Sequence, residues 1–115
     1  MVPADITDQR AIERVVALGE ERFGKIDIVV HTAGVTGAKG DPLEFSDADY
    51  EEAWQTDFFS SVRVARATIP RMRPRGWGRF VCITSENAAQ PYYEEAVYNV
   101  ASWAVFSLCS SARLE

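Results

Sequence analysis

Tyr98 lies thirteen residues after Ser85 and four before Ser102, and these hydroxyl groups are the ones best placed by type and spacing to do chemistry. Gly78 to Ser85 reads as a buried strand with a serine at its carboxyl end. An open α/β sheet places its ligand crevice outside such strand ends. Tyr98-Asn99-Val100-Ala101-Ser102-Trp103-Ala104 opens an apolar helical stretch, in which residues four apart stack one turn above each other. A Tyr-x-x-x-Lys pair would meet there, and Tyr98 reads as a catalytic tyrosine whose lysine is missing, with Ser102 in its place. A phenol without such help titrates near ~10, so only about one molecule in a thousand is tyrosinate at pH 7. A shifted alignment does not supply the lysine, because the next residue is Trp103 and none follows Lys39.

The elements that must hold these residues are legible as alternating helices and strands. Thr7 to Phe23 carries a helical apolar stripe at Ile12, Val15, Val16, Gly19 and Phe23, with Thr7 or Asp8 as N-cap and Gly24 as the stop. Lys25 to His31 is short and β-branched and runs into Thr32-Ala33-Gly34, a strand ending in a tight turn. Val35 to Glu44 is loop, and the spacing of Gly34, Gly37 and Gly40 reflects loop composition. Ser46-Asp47-Ala48-Asp49 is a capping arrangement ahead of a long helix, whose expected buried face is Tyr50, Trp54, Phe58, Val62, Ala65 and Ile69. That helix stops between Pro70 and Pro74. The strand Arg79 to Thr84 follows, then a helix from about Tyr93 to Ala112 with Val97, Ala101, Ala104, Leu108 and Ala112 inward. Alternation of this kind makes an α/β fold with a parallel sheet.

Length and composition narrow the function. The 115 residues form one domain at most, able to bury roughly two thirds of its unfolded surface. With 47% hydrophobic and 25% charged residues the chain is an ordinary globular sequence, not a disordered tail. A net charge of −5 argues against nucleic acid as a partner, since that needs a basic face. Arg71, Arg73, Arg75 and Arg79 are local and read as a solvated helix end that offsets the negative end of the helix dipole. Cys82 and Cys109 fall in apolar elements and are expected as buried free thiols. His31 is the sole histidine, and no Cys, His and carboxylate set has ligand spacing, so no metal site is expected. No apolar run approaches a membrane span of roughly 20 residues, and the first residues lack a signal-peptide pattern; a reducing cytoplasm is the expected setting.

Taken in order, Asp5-Ile6, His31-Thr32-Ala33-Gly34, Asp57-Phe58-Phe59 and Ser85 with Tyr98 give the chain a resemblance to the middle of a short-chain dehydrogenase/reductase, over essentially all of its length. The resemblance implies a partial, truncated Rossmann-type doubly wound parallel sheet of three strands and three helices, with residues 1–115 as a single partial NAD(P)-binding domain. It implies NAD or NADP as cofactor, a small carbonyl or alcohol as substrate, and a homo-oligomer formed through the two long helices. By position, Ser85 would hydrogen-bond the substrate oxygen and Tyr98 would exchange a proton with it. Ser102 stands where the family lysine lowers the tyrosine pKa and holds the nicotinamide ribose. Asp57 stands where an asparagine's backbone carbonyl anchors a relay water; a carboxylate is isosteric there, but costs several kcal/mol if ionised and unpaired. Asp5, Ile6, Ala33, Gly34 and Tyr98 would lie along the cofactor, with His31 a substituted turn residue near its adenosine side.

The resemblance also marks what these residues do not contain: no glycine-rich turn cradles a pyrophosphate, and no discriminator of NAD from NADP follows. In the family order of third, second, first, fourth and fifth strand, the third and fourth would stand across roughly 14 Å of missing sheet, at about 4.8 Å per strand. Val2-Pro3-Ala4 would then lack a neighbour, and Ile28-Val29-Val30 would form an exposed apolar edge. The chain is accordingly expected to be a piece of a longer subunit or a truncated product. The alternative is a noncatalytic family member acting as an oligomerising interaction protein; an isomerase, epimerase or dehydratase of the same family is a more remote one.

Overall fold

Where Gly24 ends the first helix with a left-handed backbone (φ 84°), the chain turns directly into the first strand. In the computed structural model, which describes residues 1–111, that helix is α1 (Gln9–Phe23) and the strand is β1 (Ile28–His31). Asp8 is the N-cap, its carboxylate accepting from Arg10 N–H, while Thr7 bonds back to Asp5. After a loop come α2 (Asp47–Ala53), a π-helical turn (Trp54–Phe58) and α3 (Phe59–Met72), which run on from one another. The capping arrangement is a full capping box: Ser46 caps the Asp49 N–H and Asp49 caps the Ser46 N–H. β2 (Arg79–Cys82) and α4 (Ala96–Ser111) complete the order, joined through short 3₁₀ turns at Glu86–Ala88 and Tyr93–Glu95.

β1 and β2 pair in parallel, Ile28 with Arg79 through His31 with Cys82. Two strands form among the described residues, not three, because Val2-Pro3-Ala4 has no strand beside it to bond with. One face of this ribbon packs on α3 and α4. The other is bare: Ile28, Val30, Val81 and Ile83 all point out, with Ile28 and Ile83 58% and 61% exposed. Parallel sheets are normally covered on both faces, which is why their strands read as continuous apolar runs. The exposure therefore lies on this open face as well as along the edge.

Several helix faces differ from the apolar spacing. Ile12 and Val16 pack on Ala67, Ile26 and Val64, but Phe23 at the end of α1 is exposed. The aromatic stripe of the long helix is only half-buried; Trp54, Phe58 and Phe59 stack on one another instead. Of the expected face only Ile69 is fully buried, and the other residues that face inward are Ala53, Asp57, Ser60, Ser61, Ala67, Thr68 and Met72. Small side chains let the helix approach strand and helix neighbours closely, and the π turn changes the phase between α2 and α3. On α4 the buried set is Val97, Ala101, Ser102 and Val105, with Ala104 and Leu108 half-buried, and Ala112 outside the described residues. The arginines do more than balance a dipole. Arg71 pairs with Glu20 of α1 at 3.1 Å, and Arg75 donates to the Ile26 carbonyl at 2.5 Å, fastening the end of α3 to the entry of β1.

Candidate active site

A cavity of about 160 Å³ opens at the carboxyl ends of β1 and β2. Into its wall come His31, the turn Thr32 to Val35, Asp57 and Ser61 from the π turn and α3, Ile83 and Thr84 after β2, and Tyr98, Ser102 and Val105 from α4. Of the residues singled out in the sequence, the fold thus gathers His31, Ala33, Gly34, Asp57, Tyr98 and Ser102. Asp5 and Ile6 do not line it; they lie ahead of α1, where Asp5 forms a local turn with Thr7. Ser85 stands beside it, not in its wall.

Ser85 is the N-cap of the 3₁₀ turn Glu86–Ala88. Its hydroxyl donates to Asn87 Oδ1 at 2.6 Å, and its oxygen accepts from the Asn87 N–H at 3.3 Å. Asn87, buried, passes the constraint on: Nδ2 donates to Glu95 Oε2 and to Asn99 Oδ1, both at 2.8 Å. Asn99 follows Tyr98, so the Ser85 loop is registered against the helix that carries the phenol. Thr84 adds a second tie, donating from Oγ1 to the Ser102 carbonyl at 3.1 Å. Glu95 is paired with Lys39, which brings the loop after β1 to the same place; that pairing, with the Asn87 bond, holds the Glu95 carboxyl below its usual range. Sequence reasoning missed Asn87: a serine that bonds the backbone N–H two residues on is a recognised turn, but that signal says nothing of which residue stands there.

His31 ends β1 and is buried against α3, not set in the turn as its sequence context suggests, because alternation along the strand puts it on the same face as Val29. Its Nε2 lies 3.0 Å from Ser60 Oγ. Ser60 Oγ also lies 3.1 Å from the Asp57 carbonyl, which accepts its proton in the arrangement where His31 donates from Nε2. Burial holds the imidazole below its ordinary pKa and keeps it neutral.

Asp57 is 5% exposed and sits in the π turn, whose bulged geometry is common at functional sites. Its carbonyl accepts from Ser60 and also from Ser61 at 3.1 Å. Its Oδ1 accepts from the Val35 N–H at 2.7 Å, and its Oδ2 is buried without a partner. Burial pushes the carboxyl above the usual carboxylate range, the Val35 N–H and then the Thr56 hydroxyl offsetting part of the effect. A Cβ at Gly34 would fall 3.1 Å from Asp57 Oδ1, so a side chain there would push the carboxylate by a few tenths of an ångström. Cys82 and Cys109 are free and half-buried; burial, then the hydrogen bond between the two thiols, pushes Cys82 up to about 12. Among the described residues no helix is long and apolar enough to cross a membrane.

Residues 1–115 match the family model described as short chain dehydrogenase. The chain is 40% identical over 76 residues to 1-deoxy-11-beta-hydroxypentalenate dehydrogenase of Streptomyces arenae, covering 65% of this chain and 27% of the relative. It is 38% identical over 84 residues to an uncharacterized NAD-dependent oxidoreductase of Mycobacterium tuberculosis, covering 73% of this chain and 30% of that protein. Among solved structures, levodione reductase superposes with a TM-score of 0.88 at 25% identity, over 91% of this chain and 41% of that one. The chain thus spans less than half the length of these proteins.

Proposed function

Because this chain belongs to the short-chain dehydrogenase/reductase family, we propose that it carries the catalytic part of a nicotinamide-dependent oxidoreductase that interconverts a carbonyl and an alcohol on a small molecule. The observation that carries this reading is the convergence of Tyr98, Ser102, Asp57 and the Ala33-Gly34 turn on one cavity at the carboxyl ends of two parallel strands. Tyr98 is the residue that exchanges a proton with the reacting oxygen. Ser85 orients that oxygen by turning its hydroxyl from Asn87 Oδ1 to the substrate, while Asn87 stays fixed by Glu95 and Asn99. The small residues Ala33 and Gly34 would let a dinucleotide, NAD or NADP, lie close to the backbone of the turn, in the cavity that Tyr98 and Ser102 also line. Once bound, such a cofactor gives or takes the hydride. The glycine-rich turn for its pyrophosphate is not among these 115 residues. The reported relatives carry dehydrogenase and oxidoreductase names, which leaves the noncatalytic reading without support.

The proposal extends to assembly and setting. Val100, Trp103 and Phe106 leave an apolar stripe exposed on α4, and a homo-oligomer through α4 and the long helix would cover it. Two free thiols suit a reducing cytoplasm. The deciding experiment grafts residues 1–111 into an active short-chain dehydrogenase in place of the matching segment. Ser102→Lys in the graft is expected to raise turnover far more than Asp57→Asn, and Tyr98→Phe in the Ser102→Lys background to abolish it. Turnover that survives removal of the phenol would end the assignment of Tyr98.

A further inference from the structure

The Ser85 proton is committed by a chain of partners that runs out to the surface. Asn99 fixes one end of it. Its Nδ2 donates to the Tyr92 carbonyl at 2.6 Å and its Oδ1 accepts from the Tyr92 N–H at 3.3 Å, an orientation dictated by backbone groups that cannot exchange roles. Asn99 Oδ1 and Glu95 Oε2 therefore both face Asn87 as acceptors, each at 2.8 Å, and the atom that meets them is the Asn87 nitrogen. That leaves Asn87 Oδ1, which has no proton to give, 2.6 Å from Ser85 Oγ, so Ser85 is the donor. Asn87 is buried, and the carboxylate on its far side strengthens the hold, because an amide that donates to a charge accepts more strongly at its oxygen. Lys39 takes the other oxygen of the same carboxylate, Oε1, and the neighbouring Gly40 N–H bonds the Glu94 carbonyl at 3.0 Å. The charges of Lys39 and Glu95 are thus connected, through one amide, to the O–H of Ser85.

We propose that Asn87 and Glu95 are positioning residues for the reaction: with Lys39 behind them they keep the Ser85 proton on Asn87 Oδ1, so that a carbonyl oxygen gains this proton only by displacing Asn87. The proposal rests on Ser85 as the residue that orients the reacting oxygen. Neither Asn87 nor Glu95 touches the substrate in this role; together they set what Ser85 gives up to meet it. A bond given up on binding stays broken through the transition state, so its cost falls on KM and not on kcat. At the usual worth of one hydrogen bond, it weakens ketone binding about three- to tenfold.

Two measurements test it. In the intact chain, NMR follows the Glu95 carboxyl carbon, the Asn87 Nδ2 protons and the Ser85 Cβ across pH. Lys39 and then Asn87 hold the Glu95 carboxyl below its usual range; the other acids around it are Glu94 and Glu86, the latter bonded to the Tyr92 hydroxyl at 2.8 Å. The expected result is one midpoint shared by all three signals, below the ordinary glutamate value of about 4.3. Lys39→Ala should move the three upward together, and Glu95→Gln should abolish the inflection at Asn87 and Ser85. A Ser85 signal indifferent to Glu95 overturns the proposal. The kinetics are read in the graft that carries Ser102→Lys. Asn87→Leu, close in volume but without an acceptor, should lower KM for a ketone about three- to tenfold at nearly constant kcat. Glu95→Gln, nearer the surface, should lower it by less. A raised or unchanged ketone KM in Asn87→Leu overturns the positioning role, and Ser85→Ala then tells two failures apart. It raises KM if Ser85 orients the substrate without Asn87, and leaves KM unchanged if Ser85 is not the orienting residue.

Discussion

Gly78→Ala tests how β2 is seated, and the contacts set its size. A Cβ at this position would stand 2.5 Å from Met72 Sδ and 2.8 Å from both Met72 Cβ and Cγ, and Met72 is fully buried. Neither partner can yield cheaply, because one of the atoms met is next to the α3 backbone. Overpacking of this kind costs about 1–3 kcal/mol, and the reduced freedom of the unfolded chain offsets about 0.4–1 kcal/mol, since Gly78 is not among the positive-φ glycines. The net loss is about 1–2 kcal/mol, which at a urea m-value of about 1.5 kcal/mol per molar lowers the midpoint by about 1 M. Met72→Ala removes two of the three contacts, so the double variant should be more stable than the sum of the single losses predicts, by about 0.5–1.5 kcal/mol. Gly76→Ala is the control: its φ is 65° and nothing lies within 4 Å of its Cβ, so its loss is one of backbone conformation. It should show no coupling to Met72→Ala. If Gly78→Ala is neutral or stabilising, or if the two alanine substitutions couple to Met72 alike, the steric account is wrong.

Asp57→Asn should raise stability at neutral pH. Because the folded-state pKa of Asp57 lies above its unfolded value, its stabilising contribution is full below about pH 4 and is lost as pH rises through the folded pKa. The gain in urea midpoint should therefore shrink as pH is lowered. Calorimetry of the chain with NADH and NADPH should show no saturable binding at micromolar cofactor, the pyrophosphate cradle being absent from its residues; a micromolar isotherm would refute this. Trp103→Glu, at a site 60% exposed on α4, should shift sedimentation toward monomer with little change in unfolding midpoint. An unchanged oligomer, or a wild-type monomer at high concentration, would remove α4 as the interface.

Helix ends were legible in the sequence because their chemistry is local. Ser46 with Asp49 and Asp8 before Gln9 satisfy orphan N–H groups within three residues, and Gly24 takes the backbone that a side chain resists. The parallel pairing was legible too, since two short β-branched runs separated by a long helix have few other ways to meet. What was not legible depends on neighbours. Nothing in the spacing of Trp54 and Phe58 reveals that Asp57, Ser60 and Ser61 face inward, because the buried face is made of small and polar residues while the aromatics that form the apolar stripe stack on one another half-buried. The cavity residues His31, Asp57, Tyr98 and Ser102 were found from order and spacing, whereas Asn87 became visible only once Ser85, Glu95 and Asn99 had been folded around it.

The π turn at Trp54–Phe58 also works as a phase plate between two helices. Each residue of an α-helix advances about 100°, and the π turn holds one residue more than a regular turn would, so deleting one residue there would let α2 and α3 run together as a regular helix with both flanks keeping their orientation. A one-residue deletion within α2 or α3 would by contrast rotate everything beyond it by about that angle and exchange a buried face for an exposed one. Length is thus a looser constraint in the turn than on either side of it, and a library of one-residue deletions across residues 46–72 should show its mildest loss of folding between 54 and 58.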